Sequence, residues 1–475
     1  MENFSNFLYM REELSLVVLI VFLLLYDLIA GKRGMRYFQP VAIGLMALHT
    51  LVTIIPRAEV SAFGGMYTHL PMAGVVKSIL NLATLIIFLQ AKELFNSSKQ
   101  RQRRGEYYFL TLVTLLGMYF MVSSGHFLLF FIGIEMASIP LSTLVAMDKK
   151  CKKSAEAGAK YILLAAFSSG ILLFGISYLY GTTGTLYFAD MPPLISANAL
   201  QIMGFVFFAA GLFFKLSFVP FHLWAGDVYE GAPTNVTSYL SVVSKGAAAF
   251  ALVVLLFKVF GNLIVQWQGI LYAIIILTIT VGNLFAIRQE NMKRFLAFSS
   301  ISQAGYIALG MMGGTALGMN MLVYYLFVYL FSNLAAFGVV ISIENKTGKL
   351  NISDYNGLYS TNPKLSVVMM LAMFSLGGIP PFAGFFSKFF IFSAAVEQGF
   401  YVLVLIAAIN TVISLYYYLK VVKAMFINQS DHPIPTLRTE GYNRVSLVLC
   451  TVGILVTGIV SLFVESISAF GFGIQ

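Results

Sequence analysis

Long apolar stretches recur along nearly the whole chain, and they constrain its fold more than any other feature. A helix that crosses a bilayer needs about 20 mainly apolar residues. Fourteen such stretches, here called spans 1–14, predict an all-α polytopic membrane protein in which short loops leave no room for a soluble domain. They lie at 13–31, 38–56, 72–91, 107–123, 126–147, 158–180, 200–221, 236–258, 268–288, 298–314, 319–343, 364–396, 399–427 and 445–470.

The composition agrees with a membrane protein. Of the 475 residues, 59% are apolar and 11% are charged, whereas a soluble domain has about 45–50% and about 25%. A soluble fold of this size could not bury so much apolar surface. We expect the first stretch to be span 1 and not a signal peptide, because its apolar core is too long and no small-residue cleavage site precedes Gly31.

The basic residues predict the orientation. Of the 30 Lys and Arg, 22 lie in the loops after odd-numbered spans or within the span ends that flank these loops, whereas the loops after even-numbered spans hold only Arg57, with Lys258 near a span end. Because basic loops stay in the cytoplasm, both termini are expected on the outer side. The net charge of +10 then reflects topology and does not indicate a nucleic-acid surface.

Residues that bind metals or redox groups are sparse. The two cysteines, Cys151 and Cys450, are far apart, and the five histidines show no metal or haem spacing. No glycine-rich nucleotide fingerprint follows a strand-like segment. We therefore expect no cofactor in this chain.

A few charged side chains interrupt the apolar spans, and these are the candidate functional residues. A charge at mid-bilayer costs about 2.5–3.5 kcal/mol even on lenient scales, so such residues usually face the bundle interior and mark ion or proton paths. The candidates are Glu135, Lys160, Lys215, Lys245 and Lys388, with Lys77, Lys258 and Asp27 nearer to span ends.

Three of these charges are predicted to lie at similar depth. At about 1.5 Å per residue, Glu135 lies about 14 Å into span 5 and Lys215 about 22 Å into span 7. Lys245 lies nine residues into span 8, counted from the opposite face of the membrane. Desolvation favours the neutral forms of Lys and Glu, whereas pairing favours the charged forms. If the partner of a buried Lys or Glu moved closer or further away, that residue could therefore bind or release a proton near neutral pH. The alternative is an ordinary buried ion pair between Glu135 and Lys215.

The remaining polar residues allow two interpretations each. Lys160 lies close to the basic loop 149–153, so it either takes part in transport or extends to the interface. His222 is either a proton relay or a hydrogen-bonded structural histidine. We interpret Lys77 and Lys258 as lysines that extend to the interface, and Asp27 as an interfacial residue.

Spans 7 and 12 are predicted to be discontinuous. Each contains proline within two turns of a lysine, in KLSFVPFHLW (215–224) and GGIPPFAGFFSK (377–388). Proline interrupts a helix, and broken backbone at membrane depth is tolerated only inside protein or beside a wet cavity. Because the spans are five apart, they run in opposite directions, which predicts two inverted five-helix repeats, spans 4–8 and 9–13.

Four segments carry a resemblance to a known family. They read FIGIEMASIPLSTLVA (131–146), KLSFVPFHLWAGDVYEGAPTNVTSYLSVVSK (215–245), NMKRFLAFSSISQAGY (291–306) and GGIPPFAGFFSKFF (377–390). With them the chain resembles, over essentially its whole length, the subunit N (subunit 2) family of NADH–quinone oxidoreductases. These are antiporter-like, proton-translocating membrane subunits of respiratory complex I.

The resemblance implies an organisation and residue roles. Glu135 and Lys215 match the coupled pair, Lys245 the central-axis lysine, Lys388 the lysine of the second half and Lys160 the helix 6 lysine. The implied location is a bacterial inner membrane, with NAD, FMN, iron–sulfur clusters and quinone in partner membrane and peripheral subunits. The expected units are 1–106 (spans 1–3), 107–258 (spans 4–8), 259–430 (spans 9–13) and 431–475 (span 14).

Two residues depart from the family pattern. Gly226 stands where proline is usual, and Gln303, which cannot titrate, stands where many members have histidine. Three other functions stay open at this point: a subunit of a multi-subunit Na⁺/H⁺ antiporter, a subunit of a ferredoxin-linked or hydrogenase complex, and a purely structural scaffold.

Overall fold

A computed structural model describes residues 6–31, 36–95, 103–459 and 462–469. These residues form a helical bundle with one two-stranded antiparallel hairpin, which the sequence did not predict. The hairpin pairs β1 (Val60–Ala62) with β2 (Tyr67–His69). The helices are α1 (Arg11–Ile29), α2 (Phe38–Ile54), α3 (Pro71–Gln90), α4 (Arg104–Val122), α5 (Phe127–Val145), α6 (Lys152–Thr183), α7 (Ala199–Leu216), α8 (Leu223–Gly231), α9 (Thr234–Tyr239), α10 (Lys245–Lys258), α11 (Ile264–Ile287), α12 (Met292–Met312), α13 (Ala316–Thr347), α14 (Leu358–Thr361), α15 (Pro363–Gly377), α16 (Ala383–Glu397), α17 (Tyr401–Phe426), α18 (Gly441–Ile459) and α19 (Leu462–Ser468).

The predicted all-α membrane fold is confirmed. Eleven of the described helical segments are long and apolar enough to cross a membrane, and Phe38–Ile54 and Pro363–Gly377 are shorter apolar helices. The number fourteen itself stays a prediction. Span 10 was placed too late, because α12 begins at Met292. Of span 14, residues 460, 461 and 470 lie outside the described part of the chain.

Local sequence explains where several helices begin and end. The side chains of Asn198, Asn291 and Thr315 accept hydrogen bonds from the first-turn amides of α7, α12 and α13, as expected of N-cap residues. Gly184 and Gly348 end α6 and α13 in the left-handed conformation, which glycine adopts without a Cβ clash.

The bundle has a buried centre and an apolar outer surface. Helix α12 is buried except at Arg294 in its first turn, and α13 and the α9–α10 segment are almost entirely buried. The outer helices α6 and α17 instead expose large apolar side chains, among them Phe167 and Val412. Contiguous exposed apolar surface of this kind suits contact with lipid.

Contacts with α12 give the direction of both discontinuous helices. Glu230, near the end of α8, forms an ion pair with Arg294 at the start of α12. Gln398, just after α16, lies against Gly313 at the end of α12. The two discontinuous helices therefore run in opposite directions, as an inverted repeat requires, while the unit boundaries stay predictions. We call the end of the bundle at Arg294 the basic end, and the end at the β-hairpin the opposite end.

Candidate functional site

The first break separates α7 from α8. Helix α7 ends at Leu216, and the next residue, Ser217, adopts the left-handed backbone conformation. The indole Nε1 of Trp224 then donates to the carbonyl of Phe214 at 3.2 Å, and the amide of Val219 donates to Oγ1 of Thr278 at 3.0 Å. Span 7 was predicted to reach residue 221, beyond Pro220, whereas the helix ends five residues earlier, at Leu216.

Lys215 occupies the last turn of α7 and is almost fully buried. Its Nζ donates to the hydroxyl of Ser138 at 2.6 Å. Glu135 precedes Ser138 by one turn on α5, and its buried Oε1 has no hydrogen-bond partner among the described residues. The lysine thus contacts a hydroxyl one turn from Glu135, and this hydroxyl itself donates to the carbonyl of Ile134 at 2.6 Å. The ordinary ion pair considered above therefore lacks its direct contact.

Lys245 lies at the start of α10, directly after a π-helical segment, Leu240–Ser244. Such π-bulges are frequent at functional sites because they offset the hydrogen-bond ladder and re-aim side chains. The Nζ of Lys245 donates to Oγ of Ser300 at 2.8 Å and lies 5.6 Å from the ring centre of Tyr229. This lysine is therefore held by neutral groups only.

Hydrogen bonds lead from the neighbourhood of Lys245 towards Lys388. Ser299 adjoins Ser300 in the chain, and its hydroxyl is 2.6 Å from the hydroxyl of Tyr418. Gln303 donates through Nε2 both to Tyr418 at 3.0 Å and to the carbonyl of Leu376 at 3.1 Å. Nζ of Lys388 donates to that same carbonyl at 2.9 Å. We call this set the lysine row: Lys245, Ser300, Ser299, Tyr418, Gln303, Leu376 and Lys388.

The second break separates α15 from α16 and contains the end of the lysine row. Helix α15 ends at Gly378 in the left-handed conformation. Nζ of Lys388 reaches back to the carbonyls of Leu376 and Gly377, at 2.9 and 3.3 Å. The last carbonyls of a helix lack partners in the helix and carry partial negative charge. An ammonium group is therefore favoured at this position without any carboxylate.

His222 is buried just before α8, and both ring nitrogens lack a hydrogen-bond partner among the described residues. Its ring packs edge-on against Phe285, with the centroids 6.3 Å apart. Both the relay role and the structural role of His222 therefore stay predictions.

Lys160 belongs to a partly exposed charge cluster at the basic end. Its side chain is 40% exposed and donates to Glu156 and Asp227, both at 2.7 Å. Asp227 also accepts from Arg294 at 2.6 Å. The structure thus separates Lys160 from the buried lysine row. Sequence reasoning singled out neither Asp227 nor Arg294, although both lie in the segments that carry the family resemblance.

Gly226, one of the two departures from the family pattern, packs against α12. A Cβ at this position would lie 3.2 Å from the ring of Phe298. Gln303, the other departure, is the residue that bridges Tyr418 and Leu376 in the lysine row. The position that cannot titrate thus contributes hydrogen bonds at the middle of the row.

Among the residues nearer to span ends, one interpretation is wrong. Lys77 does not extend to the interface, because it is fully buried and forms an ion pair with Glu13 at 2.5 Å. Because Lys77 lies only six residues into α3, its sequence position suggested a place near the interface. Its burial depends on the packing of α1 over this part of α3. Lys258 is 25% exposed and lies 3.9 Å from Glu59.

Within the described residues, no group of three or more His, Cys, Asp or Glu could hold a metal ion. Cys151 and Cys450 are both free. Besides Asp227 and Arg294, the sequence did not single out the neutral groups Ser138, Ser299, Ser300 and Tyr418. The three serines lie within the four family-like segments, whereas Tyr418 lies outside all of them.

Comparisons with known proteins agree on the family. The family described as "NADH:quinone oxidoreductase/Mrp antiporter, TM" matches residues 124–414. NADH-quinone oxidoreductase subunit N of Phocaeicola vulgatus is 57% identical over 460 residues, covering 97% of both chains. That of Azobacteroides pseudotrichonymphae is 54% identical over 476 residues, covering 99% of both.

Solved structures share the fold. A chain of respiratory complex I from Thermus thermophilus superposes with a TM-score of 0.82 at 28% identity, covering 97% of this chain and 100% of that one. A chain of the Mrp complex from a Dietzia species superposes with a TM-score of 0.85 at 20% identity, covering 96% and 95%. The second likeness shows the fold alone. The chain thus belongs to the NADH-quinone oxidoreductase subunit N family.

Proposed function

We propose that this chain is a proton-translocating membrane subunit of an NADH–quinone oxidoreductase, which couples electron transfer in partner subunits to proton movement through its own buried lysines. The single observation that carries the proposal is the lysine row. It is a run of hydrogen-bonding groups at the buried centre of a membrane bundle, with a lysine at each end. Buried ionisable residues of this kind mark proton paths.

The proposed roles follow from the contacts of each residue. Glu135 changes the proton affinity of Lys215, with Ser138 between them as the exchangeable hydrogen-bonding group. Lys245 relays the proton to the row, and Lys388 exchanges it beyond the second break. Gln303 orients the row without titrating. Lys160 takes part in transport at the basic end, and His222 relays protons at the first break.

The proposal includes the surroundings of the chain. It assembles with other membrane and peripheral subunits, which carry NAD, FMN, iron–sulfur clusters and quinone. It lies in a bacterial inner membrane with the basic end in the cytoplasm, since basic loops are retained there. Both termini then lie on the periplasmic side.

The proposal is tested by replacing Glu135 with Gln, and Lys215, Lys245 and Lys388 each with Met, in the complete complex. In inverted membrane vesicles we expect each variant to assemble but to lose NADH-driven proton translocation by at least about tenfold, equivalent to about 1.4 kcal/mol. Lys258→Met is the matched control, because this lysine is partly exposed and outside the lysine row. Assembly is followed on native gels.

The outcomes separate the other functions. Unchanged translocation in all four variants contradicts the proposal. Normal protons per electron with defective assembly indicates a scaffold. Sodium-dependent proton exchange without NADH, abolished by the same substitutions, indicates a Na⁺/H⁺ antiporter subunit. Activity with reduced ferredoxin but not with NADH keeps the proton path and changes the electron donor.

A further inference from the structure

A second buried cluster of charged residues lies at the opposite end, built by elements that take no part in the lysine row. Nζ of Lys77 on α3 donates to Oε1 of Glu13 on α1 at 2.5 Å and to the hydroxyl of Tyr67 on β2 at 3.3 Å. The Tyr67 hydroxyl in turn donates to the other oxygen of Glu13 at 3.0 Å. We call Glu12, Glu13, Tyr67, His69 and Lys77 the N-terminal cluster.

This cluster is buried but incompletely satisfied. Glu12, Glu13 and Lys77 are each at most 2% exposed. Oε2 of Glu12 and Nδ1 of His69 have no hydrogen-bond partner among the described residues, while Oε1 of Glu12 accepts from Arg11 at 2.9 Å. A buried ion pair contributes little net stability compared with apolar residues of similar volume. Stabilisation of the packing between α1 and α3 is therefore a poor explanation for these buried charges.

The histidine of the cluster is neutral. Burial, followed by the nearby Lys77, lowers the pKa of His69 to about 4, against the opposing effect of Glu12. Its unpartnered Nδ1 is thus available to a water molecule or to a transferred proton. The other charged groups that face this region are Arg11 on α1 and Arg57 after α2, and both act in the same direction on His69.

A separate chain of hydrogen bonds begins beside the cluster, where the hydroxyl of Ser15 donates to the backbone carbonyl of Glu12 at 3.0 Å, and extends into the bundle. The hydroxyl of Ser15 on α1 is 2.9 Å from Nδ1 of His49, and Nε2 of His49 is 3.0 Å from the hydroxyl of Tyr119. Tyr119 donates to the side-chain oxygen of Asn81, one turn after Lys77 on α3. A histidine bonded through both nitrogens can accept a proton at one and release it from the other.

The inner end of this chain reaches the helix that carries Lys245. Leu80, next to Asn81 on α3, lies against Gly246, where a Cβ would be 3.5 Å from Cδ2 of Leu80. Nζ of Lys77 also lies 5.3 Å from the ring centre of Tyr119. Helix α3, which carries Lys77, thus packs against α10, which carries Lys245, through the apolar side chain of Leu80.

We propose that the N-terminal cluster is a second proton-exchange site. Through it, Lys245 at the start of the lysine row exchanges protons with the opposite end of the bundle, by way of Ser15, His49 and Tyr119. The pair of Lys77 and Glu13 holds one exchangeable proton. The proton passes from Nζ of Lys77 to Oε1 of Glu13, which leaves a neutral amine and a neutral acid. Glu13 then releases this proton to the opposite end, and the amine takes up another proton from the side of Tyr119, whose ring centre lies 5.3 Å from Nζ. The inference rests on the proposed function.

The decisive experiment compares single and double variants in the complete complex. In Glu13→Gln and Lys77→Met, one buried charge is left without its partner, and assembly is expected to fall. In the double variant Glu13→Gln/Lys77→Met both charges are gone and assembly returns. We expect this double variant to lose protons translocated per NADH oxidised to the same extent as Lys245→Met.

Each outcome decides the inference. A double variant with wild-type assembly and wild-type protons per NADH assigns the pair a structural role and overturns the proposal. If the double variant fails to assemble, Tyr119→Phe decides in the same assay, because it removes one hydroxyl and keeps the ring. A lower number of protons translocated per NADH supports the proposed proton-exchange site, and an unchanged number overturns it. Lys258→Met is the control for loss of a lysine near the same end.

The same assay distinguishes the two proposals. If Lys245→Met and Lys388→Met also leave protons per NADH unchanged, the proposed function fails and the inference fails with it. If they lower the value while the N-terminal double variant and Tyr119→Phe do not, only the second site is wrong.

Discussion

The two breaks hold their lysines in different ways. At the first break Lys215 lies before the interruption, and its ammonium contacts the side chain of Ser138, one turn from Glu135. At the second break Lys388 lies after the interruption, and its ammonium contacts the backbone carbonyls that end α15. Lys215 thus lies near side chains whose charge can change on protonation, whereas Lys388 contacts backbone carbonyls whose charge is fixed.

This difference suggests unequal roles for the two halves. A carboxylate can be protonated or moved, so the charge near Lys215 is adjustable. The partial charge of a helix C-terminus changes only if the helix moves, so Lys388 has a constant surrounding. We expect the first half to receive the signal that drives translocation and the second half to respond through the lysine row.

The largest effect is expected from the glycines that follow the breaks. A Cβ at Gly384 would lie 1.7 Å from the carbonyl oxygen of Ser375, whereas one at Gly226 would lie 3.2 Å from the movable ring of Phe298. Overpacking costs about 1–3 kcal/mol and occasionally more. Gly384→Ala should therefore lose most assembled subunit on native gels, while Gly226→Ala assembles. Normal assembly of Gly384→Ala would show that the second break is looser than described.

The link between the halves is tested at Gln303. In Gln303→Leu, Tyr418 and the carbonyl of Leu376 lose their shared donor, so we expect proton translocation to fall by more than about tenfold. Gln303→His retains a donor and an acceptor and should sustain translocation. The control is Ser302→Ala, since that hydroxyl is buried without a partner among the described residues. Full activity of Gln303→Leu would mean that the halves communicate by another path.

A smaller effect is expected from Ser138→Ala at the first break. It removes the hydroxyl that accepts from Lys215 and should slow translocation about fivefold, equivalent to about 1 kcal/mol. Ser142→Ala on the same helix is the matched control, because Ser142 donates only to the carbonyl of Ile139. Equal rates in the two variants would argue against Ser138 as the group between Lys215 and Glu135.

The smallest effect concerns the side-chain hydrogen bond that crosses each break. Trp224→Phe removes the bond to Phe214, and Ser375→Ala removes the bond to the amide of Gly384. Each should destabilise the subunit by about 1 kcal/mol, seen as faster thermal inactivation of the purified complex with unchanged protons per NADH. A change in that ratio would mean that the break geometry itself controls coupling.

Much of the fold followed from the sequence alone. Apolar stretches of spanning length, proline beside lysine in spans 7 and 12, and lysines deep within apolar segments are local patterns, and the cost of polar groups in lipid gives each one a narrow set of outcomes. Lys215, Lys245 and Lys388 are indeed buried. The break at Ser217 came earlier than predicted, because a left-handed residue at a helix end leaves no periodicity in the sequence.

Only the tertiary structure decided which groups meet. That Gln303 joins Tyr418 to Leu376, that Lys215 donates to Ser138, and that Lys77 is buried against Glu13 all depend on contacts between distant segments. The sequence determined that charges would be buried, because their position within a span fixes their depth. It could not determine their partners, because neutral hydroxyls, amides and carbonyls occur everywhere and acquire meaning only through helix packing.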